Sequence, residues 1–164
     1  MLVPDFLSHA VAPWASLYGN SKLVSVTVTY GHLAALLTGG GVAVDADRQI
    51  LRAHAGAVSE HAACLARVPA VHRTVVGALT LVAITGILLF ASDVETFAGS
   101  KVFWLKMVLV ALLLANGAFL LRAERAVTAD DSARNWSRLR LASILSLCLW
   151  ALVLLVGTIL QTAA

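Results

Sequence analysis

Four long stretches of the chain are uncharged or nearly so: residues 23–44, 74–92, 102–121 and 139–160. Each approaches the roughly 20 residues that a helix needs to cross the hydrocarbon of a bilayer. Only Lys106 and Arg140 interrupt them, both near an end, where a long side chain can reach the headgroups. The first stretch carries a local conflict. From Val24 to Thr29 apolar and polar residues alternate, which taken alone reads as a strand. A lone strand leaves its backbone unpaired in lipid, and no other segment supports a barrel, so a helix is expected here too.

The charges between the stretches give an orientation. Residues 45–73 hold Arg48, Arg52, Arg67 and Arg73, and the segment after the third stretch holds Arg122, Arg125, Arg134, Arg138 and Arg140. The opposite side has Lys22, Lys101 and Lys106, so Lys and Arg divide nine to three. Positive residues stay inside, which predicts cytoplasmic connections at 45–73 and 122–138 and both termini outside. Phe103, Trp104 and Trp136 sit near span ends, as expected for an aromatic belt. Residues 1–21 form the outer segment. Leu2, Val3, Phe6, Leu7, Ala10, Val11, Trp14 and Leu17 have helical spacing there, with Pro13 expected to kink or split the piece and His9 on its polar side. The predicted fold is all-α: a polytopic membrane protein whose four transmembrane helices form an up-down bundle, with an N-terminal interfacial helix.

Composition agrees. The 164 residues are 60% hydrophobic and 13% charged, with mean hydropathy +0.87, whereas a soluble domain is nearer half apolar and a quarter charged. The net charge of +3 comes without a basic run, so the expected partner is the bilayer, with other membrane subunits or a second copy, and not nucleic acid. Cys64 lies in a polar connection and Cys148 deep in an apolar stretch, so both read as free thiols. No basic region precedes an apolar core and cleavage site, so no cleaved signal peptide is expected.

Small and polar residues mark helix contacts in membranes. Ser25, Thr29, His32, Leu36 and Gly39 share a face of the first span. His72, Val76, Thr80, Ala83 and Ile87 share one in the second, and Lys106, Leu109, Leu113, Asn116 and Leu120 in the third. Ser143, Ser146, Trp150, Val153 and Gly157 do so in the fourth. These faces are expected to meet. His32 lies near mid-span, where Thr80, Ser146 and Trp150 are at matching depth. An interhelical hydrogen bond to Thr80 or Ser146 would satisfy its ring, yet an ionisable group inside a membrane is also a functional candidate by default.

Haem b would need a second axial ligand at the same depth. His72 is the other histidine near a span, but it lies about 15 Å away in depth at 1.5 Å rise per residue. Met107 is a conceivable partner nearer the outer face. Copper suits His, Met and Cys, which draws in His32 and Met107, whereas Cys148 falls about 200° around its helix from Ser146 and faces lipid. In the connection after the first span a helix starting at Asp45 or Asp47 is expected to end before Pro69. His61 and Cys64 are close enough along it to share a metal, with Glu60 as a third ligand, while His54 is two turns from His61. Lys106 has three readings: lining an ion path, pairing with Asp93 or Glu95, or snorkelling. No nucleophile–base pair, phosphate loop or paired carboxylates stand out, so no enzyme is expected. The run Gly39-Gly40-Gly41 follows no strand and reads as a close helix approach or a flexible exit from the membrane.

Several segments together carry a resemblance: "YGHLAALLTGGG", "TGILLF", "SKVFWLKMVLVALLLANGAFLLRAE" and "SRLRLASILSLCLWALVLLVGTIL". They resemble the four-helix membrane domains of the copper-resistance CopD-like group and related bacterial inner-membrane proteins. The positions that carry over are His32 followed by glycines, Lys106 entering the third span, and Asn116 near its end. The resemblance implies a helical-bundle protein of the bacterial inner membrane linked to copper handling. CopD-like proteins have further spans and outward metal-binding residues, where this chain has four spans and one outer histidine, His9. Three functions are therefore expected to compete: metal handling or sensing, an accessory subunit of a larger membrane complex, and a haem-bearing electron carrier.

Overall fold

The computed structural model describes the backbone of residues 5–53 and 58–163, and the side chains of residues 8–53 and 70–162. Every element within these residues is a helix: α1 (Asp5–Asn20), α2 (Lys22–Ala53), α3 (Val58–Ser92), α4 (Val94–Gly99), α5 (Lys101–Ala129) and α6 (Ala133–Ala163). Four of them, α2, α3, α5 and α6, are long and apolar enough to cross a membrane, which marks a multi-pass membrane protein. The strand-like alternation from Val24 to Thr29 lies inside α2. A helix closes its own backbone hydrogen bonds, and that requirement overrides local propensity in lipid.

The long helices overrun the apolar stretches. α2 has 32 residues, α5 29 and α6 31. At 1.5 Å per residue they are roughly 48, 44 and 46 Å long, against about 30 Å of hydrocarbon. The surplus falls at 45–53, 122–129 and 133–138, where the charge pattern predicts connections. Ile50, Ala53, Ala123, Val127, Trp136 and Leu139 bury against one another there and make a small core of their own. Trp136 is thus not a belt residue. It is 3% exposed, and its indole N–H donates to the Asp131 carboxylate. The helix expected to start at Asp45 or Asp47 is a continuation of α2, and α3 runs through Pro69 from Val58. Charge ended the apolar runs at Asp45 and Arg122 without ending the helices: arginine is a good helix former, and the Asp45 carboxylate accepts from the Gln49 amide one turn on (2.6 Å).

The turns are tied locally. Asn135 donates its side-chain amide to the carbonyls of Ala126 (3.1 Å) and Asp130 (2.9 Å), which closes the α5–α6 hairpin. At the other end Asp93 caps α4 by accepting from the Thr96 N–H (3.1 Å), and Ser100 caps α5 by accepting from the Phe103 N–H (3.4 Å). Phe90 stacks on Phe103 there at 5.1 Å between ring centroids. α1 is one helix through Pro13 and packs on α3 and α2. Its Trp14 indole donates to the Leu88 carbonyl (2.8 Å), and its Tyr18 hydroxyl pairs with Thr29 (3.1 Å).

The spanning helices stand in the order α3, α2, α6, α5. α2 packs on α3, α5 packs on α6, and α2 and α6 join the two pairs, while α3 and α5 barely meet. Glycines set the spacing. A Cβ on Gly39 would stand 2.9 Å from the Ala78 Cβ of α3, and one on Gly40 would stand 3.2 Å from the Trp150 ring of α6. Gly41 faces open space. Leu36, Leu113, Trp150 and Val153 form the apolar centre just beside these contacts.

Gly39→Leu is expected to lower stability by about 1–3 kcal/mol, the usual range for overpacking. Gly41→Leu should leave it within about 0.5 kcal/mol, as for an open surface site. Thermal unfolding of the two variants in detergent, followed by circular dichroism, checks the difference.

Candidate functional site

The polar groups of the interior fall in two layers. One, on the α1 side of the bundle and termed the outer layer because the charge pattern predicts α1 outside, is built around His32, which is 9% exposed on α2. Its Nδ1 pairs with the Thr85 hydroxyl of α3 at 2.9 Å. The single Thr85 proton is directed at the Leu81 carbonyl, 2.6 Å away. Thr85 Oγ1 then accepts from Nδ1–H, which leaves the lone pair on Nε2. Gly86 makes the room: a Cβ there would lie 3.4 Å from His32 Cε1. Lys106 of α5 is near enough to act on the ring electrostatically. Its ammonium lies over Gly157 of α6, 3.7 Å from where a Cβ would stand.

Several expected partners stand elsewhere. Thr80 is exposed and closes on its own helix by donating to the Val76 carbonyl (2.9 Å), so it is not the partner of His32. The stripe His72, Val76, Thr80, Ala83 and Ile87 is turned outward, and α3 presents Ala78, Leu79, Val82 and Thr85 to the interior instead. The reason is that a threonine can satisfy its hydroxyl on the preceding turn, so a hydroxyl does not by itself mark an inward face. Ser25 is half-buried, and Thr29 is held by Tyr18 of α1. Met107 is 41% exposed, which sets it apart from the buried His32. Lys106 forms no ion pair with Asp93 or Glu95 among the described residues, because it turns toward α6. His72 is exposed. The side chains of His61 and Cys64 lie outside the described residues. Among the described residues no three His, Cys, Asp or Glu groups come together as metal ligands.

Asn116 and Ser146 are inward, as their stripes require. The Asn116 amide donates to the Ala142 carbonyl of α6 at 3.0 Å. Trp150 is buried against Gly40. Cys148 is exposed, on the far side of α6 from Ser146.

The inner layer was not singled out from the sequence. Asp47 of α2 is 2% exposed and Glu124 of α5 is 6% exposed. The two carboxyl groups are near enough to repel one another. Ser143 and Ser146 of α6 approach Asp47 closely enough to bear on its carboxyl group, yet Asp47 Oδ2 and Ser143 Oγ make no hydrogen bond. A cavity of about 330 Å³ opens beside the pair, between α3 and α5, with α2 and α6 behind it. Asp47, Glu124, Ser146, His72 and Trp150 line it together with leucines and valines. Two carboxylates buried within electrostatic reach of each other resist both being charged unless a proton or another cation sits with them. The signal was present in the spacing. The stripe His32, Leu36, Gly39 continues through Ala43 to Asp47 and Ile50, and the stripe Lys106, Leu109, Leu113, Asn116, Leu120 continues to Glu124. Reading it needed the helices to be followed past the apolar stretches.

Comparison with family models, with curated proteins and with solved structures found no match.

Thr85→Val should destabilise the protein by about 1–3 kcal/mol, because the buried imidazole N–H loses its acceptor. Thr80→Val should change stability by less than about 0.5 kcal/mol. A denaturant titration of both variants in mixed micelles separates the partner from the bystander.

Proposed function

We propose that this chain is a small inner-membrane protein that holds or senses a cation, with Asp47 and Glu124 as its seat. The reading takes the four spanning helices as an up-down bundle with both termini outside and α1 on the outer surface. It draws on the nine-to-three division of Lys and Arg. The carboxylate pair then lies at the cytoplasmic end of the bundle. The observation that carries the proposal is Asp47: it is 2% exposed, lines one cavity with a second buried carboxyl group within electrostatic reach, and keeps an oxygen without a hydrogen-bond partner.

The resemblance to CopD-like domains favours the same kind of work, since copper is a cation. The outer layer is a poor place for it. His32 spends Nδ1 on Thr85, and the neighbouring Lys106 repels a metal ion. That positive layer also opposes passage of a cation to the outer side, so the reading is a site open to one side rather than a through-channel.

The test is cation-dependent stability of the purified protein in detergent, with Na⁺, K⁺, Mg²⁺, Cu⁺ and organic ammonium ions as probes. A cation that binds the folded state adds about 2.7 kcal/mol at a hundredfold excess over its Kd. At least one probe is expected to raise the Tm of the wild type saturably. The rise should vanish in Asp47→Asn and persist in His32→Ala. If no cation stabilises the wild type more than the Asp47→Asn/Glu124→Gln double variant, the proposal falls.

A further inference from the structure

The cavity beside the carboxylates has features that an inorganic ion does not need. Its walls are mostly aliphatic, with Val75 and Leu79 on one side and Leu113 and Leu121 on the other. It extends along α5 from Glu124 back to Leu113, eleven positions, which is roughly 16 Å at 1.5 Å per residue. Leu113 is well inside the apolar stretch 102–121, while Asp47 and Glu124 lie just beyond the apolar stretches. The cavity therefore grades from acidic at the end of the hydrocarbon to apolar at hydrocarbon depth. It runs along the side where α3 and α5 barely meet, so it opens toward lipid. Among the described residues no lysine or arginine lines it, and two carboxyl groups stand against a single histidine, His72, so the lining disfavours a phosphate.

Resting on the cation reading above, we propose that the site takes an amphiphilic cation: one positively charged head, no anionic group, and an apolar body that fills the groove between α3 and α5. The head sits between Asp47 and Glu124, where the unpartnered Asp47 Oδ2 and the facing carboxyl group supply the compensating charge. The Trp150 ring forms part of the wall and offers an aromatic surface to the same ligand. The body lies along the leucines and valines and enters sideways from the inner leaflet. A cationic amphiphile partitions into a bilayer with its head at the interface and its body in the hydrocarbon, so it arrives already in the orientation the groove requires. A zwitterionic phospholipid does not fit, because its phosphate would lie against two carboxyl groups.

Two probes of the same shape and opposite charge test this: tetraphenylphosphonium and tetraphenylborate, measured by equilibrium dialysis against the protein in nanodiscs of zwitterionic lipid, with empty discs as the blank. Saturable binding of about one tetraphenylphosphonium per chain is expected, with no saturable tetraphenylborate binding. Glu124→Gln and Asp47→Asn should each weaken it at least tenfold. Gly117→Phe supplies a variant that leaves the carboxylates in place: Gly117 lines the cavity, and a Cβ there meets no neighbouring atom. It should abolish tetraphenylphosphonium binding by filling the groove while keeping the response to any small inorganic cation. Tetraphenylphosphonium binding that matches empty discs, or that survives both Glu124→Gln and Gly117→Phe, overturns the amphiphile proposal. If Na⁺, K⁺, Mg²⁺ or Cu⁺ still stabilises the protein in that case, the cation reading stands and only the ligand class is wrong. If none of them does, both fall.

Discussion

The close approach of α2 to its two neighbours at Gly39 and Gly40 is the constraint on which the rest of the bundle depends. Lipid tails are as apolar as leucine, so no hydrophobic drive presses two membrane helices together. Association rests on close packing and on polar contacts between helices. Gly39 lets α2 come within van der Waals reach of Ala78, and Gly40 lets the flat Trp150 ring lie against the α2 backbone. One helix thereby joins the α2–α3 pair to the α5–α6 pair. The polar layers follow from this geometry. With α2 set against α3, His32 is brought to Thr85, and with α2 set against α6, Asp47 is brought to Ser143 and Ser146.

The two layers differ in how they are satisfied. In the outer layer the imidazole has a hydroxyl partner, that hydroxyl has a carbonyl partner, and glycines at positions 86 and 157 leave room for the ring and for the Lys106 head. The imidazole N–H and the threonine hydroxyl are thus both satisfied within the protein, as buried polar groups in a membrane require. In the inner layer the serines do not complete the bonding of the carboxylate they approach, and Asp47 keeps an idle oxygen. An unpaired buried acceptor costs about 1–3 kcal/mol. That penalty stands beside a cavity, and the two together are what the cation proposal rests on.

Most of the fold was legible in the sequence, because backbone satisfaction in lipid allows few answers. The four spans, the helical reading of Val24–Thr29, and the inward faces of α2, α5 and α6 all follow from that rule and from helical spacing. The rotation of α3 was not legible. Its interior face is marked by Ala78, Val82 and Thr85, which differ little from the residues on its lipid face, and Thr80 drew attention with a hydroxyl that serves only its own helix. The carboxylate pair was missed for another reason. Apolar runs locate the hydrocarbon, but α2 and α5 continue beyond it, and Asp47 and Glu124 lie on those continuations. A carboxylate just past a span looks like a solvated connection until the stripe is followed through it.

Distance argues that the carboxylate pair must be compensated on the spot. His32 and Asp47 are fifteen residues apart on one helix, which is about 22 Å. Two unit charges at that separation interact by about 0.8 kcal/mol at an effective dielectric constant near 20, whereas a cation about 4 Å away contributes about 4 kcal/mol. Lys106 sits with the distant layer, so its charge does little for Asp47 and Glu124. The nearby arginines, Arg48, Arg52, Arg122 and Arg125, are all exposed, whereas the pair is buried. Helical periodicity enforces this: on one helix the residue next to an inward carboxylate is turned by about 100°. Among the described residues the arginines thus lie on the exposed side of the buried carboxylates, and no lysine or arginine lines the cavity beside them. The compensating charge has to come as a proton or another cation, and the cavity beside the pair leaves room for either.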